Sequence, residues 1–99
     1  MTTKTHLARI NAMQKIGCIA CRKLGKFNPA DVHHLLSGGH RMGDRYTIPL
    51  CPAHHRGVGH VDELHGPCLA KTPKRFRATF GTDEELLDLT DRLIGASNA

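Results

Sequence analysis

Ninety-nine residues with a formal net charge of +5, only three Phe, one Tyr and no Trp make one small domain with a thin core, for which a metal staple is a fitting source of extra stability. No apolar run approaches the roughly 18 residues that span a bilayer, and no charged-then-apolar leader is present, so a cytoplasmic protein is expected. Thirteen of the fourteen Lys and Arg but only four of the nine acids precede Thr82, a local balance of +9 that points to a polyanionic partner, nucleic acid above all, or else to a merely soluble basic surface.

In chain order, Leu7, Ile10 and Met13 recur at helical spacing between Thr5, a candidate cap, and Ile16, and Gly17 stops that helix. Cys18-Ile-Ala-Cys21 then opens a knuckle and loop that run to Pro29. Asp31 to Leu36 reads as a strand broken by Ser37-Gly38-Gly39, and Arg45 to Leu50 reads as a second strand with Pro49 near its end. Together they predict an antiparallel pair joined by a long glycine-rich loop. Cys51-Pro52 starts a short helix that Gly57 and Gly59 cut off. From Val61 to Arg77 no period is visible, and loop with a short helix is expected. The last element is the best marked: Thr82-Asp-Glu-Glu85 is a capping box, acids fill the first turn, and Leu86, Leu87, Leu89, Leu93 and Ile94 give an apolar face that ends near Gly95.

Cys18-x-x-Cys21 and Cys51-x-x-His54 are two ligand pairs with the tight spacing of a tetrahedral zinc knuckle. In a reducing compartment metal ligation is the better account of these cysteines than disulfides, and Cys68 is left over as a small buried hydrophobe. A second group of histidines follows the same elements. His33-His34 closes the first strand, His55 directly follows zinc ligand His54, and His60 and His65 lie just downstream. Phosphodiester hydrolysis needs a cation to neutralise phosphate charge and a base to take a proton from water, and histidine serves in either role. The bland alternative is that His33 and His34 are adjacent strand residues facing opposite sides, one solvated and one in the core. His6 and His40 read as surface residues, His40 within reach of a phosphate. Arg41, Arg45 and Arg56 lie near the histidines in sequence and are candidate backbone contacts, with Lys71, Lys74, Arg75 and Arg77 extending the footprint or simply forming a solvated face.

Asp31-Val-His-His-Leu-Leu-Ser-Gly-Gly39 followed by Ile48-Pro-Leu-Cys-Pro-Ala-His-His55 resembles the core of HNH (His-Me finger) nucleases. The run from Gly17-Cys-Ile-Ala-Cys21 to Phe80-Gly-Thr-x-x-Glu-Leu-Leu87 resembles, more narrowly, the phage recombination-enhancement, RecA-dependent nuclease family. The resemblance implies an α+β fold: a small beta-beta-alpha-metal finger with a structural zinc knuckle and flanking N- and C-terminal helices, one domain over residues 1–99 with its core at 17–66 and a C-terminal helix at 82–95. It places His33 and His55 as ligands of a catalytic metal, His34 as general base, and Cys18, Cys21, Cys51 and His54 on structural Zn2+. The family's third catalytic ligand falls at Gly59, which leaves His60, with His65 as the fallback. Tyr46 stands where many such nucleases carry asparagine, so its orienting task is unfilled or falls to Asp44. The implied activity is metal-dependent endonucleolytic cleavage of DNA leaving 3'-hydroxyl and 5'-phosphate ends, with Mg2+ or Mn2+ at work and Zn2+ or Ni2+ also able to bind the histidines. A RecA filament is a partner by this resemblance alone. The rival reading is a non-catalytic zinc module of a phage or prophage that binds DNA or protein.

Overall fold

The computed structural model describes residues 4–43, 45–57 and 67–97. Asp44, Gly59, His60, His65 and the start of the expected basic loop at 61–66 lie outside them. Among the described residues, five helices and four short strands follow in the order α1 (Lys4–Ile16), α2 (Ile19–Lys23), β1 (Asp31–His34), β2 (Leu36–Ser37), β3 (His40–Arg41), β4 (Thr47–Leu50), α3 (Pro52–Arg56), α4 (Pro73–Phe80) and α5 (Asp83–Ser97).

Helix α1 already includes Thr5, so Thr5 is not its cap, and the buried side of the helix differs from the predicted stripe. Ala12, Met13 and Ile16 are buried while Leu7 is 52% exposed, because only the last turns of α1 lie against the core. Arg9 fixes this packing: its Nε and a terminal nitrogen donate to Thr47 Oγ1 and the Thr47 carbonyl at 2.8 and 2.7 Å, and its other nitrogen reaches Asp91 of α5 at 2.8 Å. One guanidinium fork thereby joins α1, β4 and α5. Gly17 stops α1 with a φ of 76°, as its sequence position suggests, and Cys18 caps α2, a single helical turn inside the knuckle where only loop was expected.

The two predicted strands do pair, antiparallel, in the register Asp31 with Leu50, Val32 with Pro49, His33 with Ile48 and His34 with Thr47. Both are shorter than expected, β1 ending at His34 and β4 beginning at Thr47. The connection between them is no plain loop. Leu36–Ser37 and His40–Arg41 form a second two-stranded ribbon, turned by Gly38 and Gly39 at φ values of 59° and 83°. Positive φ at both central residues is the two-residue hairpin geometry that favours Gly-Gly. Its base is pinned by Leu35, which donates its N–H to the Tyr46 carbonyl and accepts from Met42.

The core gathers Ile19, Ala20, Leu35, Ile48, Leu50, Phe76, Phe80 and Leu86 around β4 and the knuckle. Phe76 and Phe80 come from α4, which starts at Pro73 and supplies the aromatic area that the composition otherwise lacks. Their rings lie 5.0 Å apart, and each full burial contributes on the order of 2–3 kcal/mol. The capping box forms as read: Thr82 N–H donates to Glu85 Oε1 and Glu85 N–H to Thr82 Oγ1, each at 3.2 Å. Helix α5 runs past Gly95 to Ser97, since one exposed glycine costs only about 1 kcal/mol in a helix already begun and packed. Among the described residues no helix is long and apolar enough to cross a membrane.

Candidate metal centre and histidine site

Cys18 precedes α2, Cys21 lies within it, Cys51 precedes α3 and His54 lies within that helix, so two short helical turns each present a pair of donors three residues apart. Their ligand atoms all lie within 4.8 Å of one another and all four residues are buried. His54 Nδ1 is 3.4 Å from Cys18 Sγ and 3.3 Å from both Cys21 Sγ and Cys51 Sγ, while the Cys21 and Cys51 sulfurs are 3.7 Å apart. A tetrahedron with bonds of about 2.3 Å to sulfur and 2.0–2.1 Å to nitrogen has edges of roughly 3.5–3.8 Å. The four donors therefore fit one metal ion, and three thiolates with an imidazole suit zinc.

N–H groups point at the sulfurs as well. Asn28 Nδ2 lies 3.2 Å from Cys21 Sγ, and the Cys21 backbone N–H lies 3.4 Å from Cys18 Sγ. Such donors stabilise thiolate over thiol. Burial acts the other way, pushing the Cys18 and Cys21 thiols up, and a bound cation reverses that cost. Phe80 closes the site edge-on, 5.1 Å from the His54 ring. Asn28 and the two phenylalanines have no place at the metal centre in the sequence reading, although Phe80 opens the segment that resembles the family; an amide in a knuckle loop was the only signal. Cys68 is buried outside this group, its N–H bonded to Thr72 Oγ1, as expected of a spare hydrophobe.

The next residue along α3 turns away from the cysteines. His55 Nε2 meets His33 Nδ1 of β1 at 3.0 Å, with ring centroids 4.7 Å apart. Burial, then the neighbouring His55, pushes His33 down to about 4, and burial lowers His55 too. Both rings are therefore neutral near pH 7 and hold lone pairs for a metal. His55 Nδ1 is itself buried with no partner among the described residues. Two apposed neutral imidazoles can share one proton or one cation.

His34 does not join that pair. It faces the other way along β1, and its ring centroid lies 6.3 Å from that of His6, tilted by 48°. His6 is half-buried in α1, so its reading as a plain surface residue is corrected; nothing in its sequence context marks it. His40 is exposed on β3, as expected.

The basic residues fall into two groups. Arg41 and Arg45 are exposed around the ribbon, and Lys74 and Arg75 are exposed on α4. Arg56 pairs with Asp31 at 3.3 Å, Arg77 with Asp83 at 3.2 Å, and Lys71 Nζ reaches the Gly57 carbonyl at 3.4 Å, which holds these three against the protein surface. The charges of Asp83 and Arg77 act on His33 with opposite sign, Asp83 favouring and Arg77 opposing its protonation.

A family model described as "Recombination enhancement, RecA-dependent nuclease" matches residues 2–94. No curated protein and no solved structure matches the chain.

Proposed function

The chain belongs to the recombination-enhancement, RecA-dependent nuclease family, and from that premise we propose that it is an HNH-type endonuclease cutting DNA beside the His33–His55 pair, with His34 as its base. The 3.0 Å approach of two neutral imidazoles from β1 and α3, one residue beyond a buried Cys3His group, carries this reading. Strand pair and helix stand in the order the finger requires: β1 with the two histidines, β4, then α3 with the third. Cys18, Cys21, Cys51 and His54 would hold a structural Zn2+, and His33 and His55, completed by His60 or His65, a second divalent cation. When bound, that cation supplies positive charge against the phosphate and the departing 3' oxygen.

His34 does the proton work. Pointing away from its neighbour, it takes a proton from the attacking water, while Arg41, Arg45 and the α4 cations hold the backbone. A non-catalytic zinc module is the second reading, favoured by the fact that Cys3His is the one group of three or more donors among the described residues.

Metal analysis and a plasmid-nicking assay separate the two. Two metals per chain and Mg2+-restored nicking are expected of the enzyme. His34→Ala should lower the rate by about a hundred- to ten-thousand-fold with both metals retained, and His33→Ala should lose the second metal but keep the zinc. One tight zinc with no nicking sinks the proposal.

A further inference from the structure

The β2–β3 ribbon has no core to bury. Leu36, Ser37, His40 and Arg41 are all exposed, and so is Met42 beyond them. A two-stranded hairpin is marginal in water by itself, and leaving Leu36 54% and Met42 44% exposed adds to its cost. The chemistry of the ribbon is specific. Leu36 lies opposite Arg41 on one face, and Ser37 lies opposite His40 on the other, so each face offers one cationic or imidazole side chain beside a small or apolar one. From Val32 through Gly43 the chain carries no carboxylate.

We infer that this ribbon enters a groove of duplex DNA, with Arg41 and Leu36 at the base edges or sugars, and that it makes double-stranded rather than single-stranded DNA the substrate. The inference rests on the nuclease reading for its substrate class, and three observations carry it further. A two-stranded ribbon is one of the shapes that the roughly 12 Å major groove admits. Cationic side chains and a stretch without acids complement a polyanion rather than an average protein surface. Position is the third: the ribbon begins two residues after His34, which lets its Gly38-Gly39 tip reach at most about 13 Å beyond that histidine at about 3.3 Å per residue. A ribbon seated in the groove would bring the phosphates along the groove edge to His33 and His34. Buried Leu35 and its two backbone bonds give the lever a firm base.

Fluorescence anisotropy with a 20-base-pair duplex and the corresponding single strand, in buffer without added divalent metal, tests the inference. Arg41→Ala should weaken duplex binding by about tenfold with little change in the slope of log affinity against log salt, and it should change single-strand binding far less. Leu36→Ser combined with Met42→Ser should weaken duplex binding with the salt slope unchanged. Circular dichroism should match the wild type, because these side chains are exposed. Wild-type duplex affinity in all variants overturns the inference. So does equal loss for duplex and single strand, which reduces Arg41 to a backbone contact, and so does intact DNA binding with lost stimulation by RecA filament, which makes the ribbon a protein surface. Plasmid nicking keeps the two readings apart: ribbon-dependent duplex binding by a wild-type protein that never nicks sinks the nuclease reading and leaves this one standing.

Discussion

Cys21 sits where the most constraints meet: its sulfur faces Cys51 and His54, accepts from Asn28, and its carbonyl accepts from both Leu24 and Lys26. Zinc binding to sites of this kind is worth about 10–16 kcal/mol, comparable with or larger than the 5–15 kcal/mol net stability of a typical domain. Cys21→Ser is therefore expected to lose the metal and become largely unfolded by circular dichroism. Cys68→Ser, equally buried but away from the cluster, should keep metal and fold, with a loss of only about 1–2 kcal/mol. A folded, metal-free Cys21→Ser protein contradicts the assignment. These ligands were legible because each pair is local: donors three residues apart must share a helical face wherever the chain goes. His6 beside His34 was illegible for the opposite reason, since that approach depends on how α1 packs on β1.

At the α1–α2 junction, one glycine does what no other residue can. A Cβ on Gly17 would lie 2.7 Å from the Phe27 ring and 2.8 Å from the Asn28 carbonyl, at a φ of 76°. That carbonyl accepts the Cys18 N–H at 2.9 Å, so the clash would fall on the loop that delivers Cys18 and Asn28 to the cluster. Gly17→Ala is expected to cost about 2–3 kcal/mol in urea or thermal melts. Gly25 shares the φ but has open space around it, and Gly25→Ala should cost only about 1 kcal/mol. Equal losses would show that φ alone matters. The elements with periodic or capped sequences, α1, β1, β4 and α5, were readable within a few residues. Helix α2 and the ribbon were not, being too short for any period; a turn of helix and two-residue strands exist only because the cysteines and Leu35 fix their ends.

Across the whole molecule, charge and metal chemistry are arranged together. The acids collect on α5, whose first turn favours them by its helix dipole, while exposed cations lie on the ribbon and α4 and also along α1 and α2. The pairing of His33 with His55 spans 22 residues, so no spacing rule reveals it; the expected strand pair and the helix after Cys51 bring them into one region, the family resemblance names them as partners, and the packing of α3 on β1 explains why they meet. Zn2+ held by three thiolates and a neutral imidazole has a formal charge of −1, whereas a Cys2His2 centre would be neutral. His54 and His55 are neighbours, so a cation held by His33 and His55 as proposed would lie within about a helix width, roughly 10 Å, of this anionic centre. The centre would attract such a cation instead of repelling it, by about 0.8 kcal/mol for a divalent ion at low salt even at the dielectric constant of water. Cys51→His, which keeps four ligands and neutralises the centre, should therefore weaken binding of the second metal about fourfold or more by calorimetry while zinc stays bound. Unchanged or tighter binding would mean the two sites do not feel each other. If they do, the staple also acts as a distant counter-ion, and the number of cysteines in the knuckle sets how strongly the neighbouring histidines hold their metal.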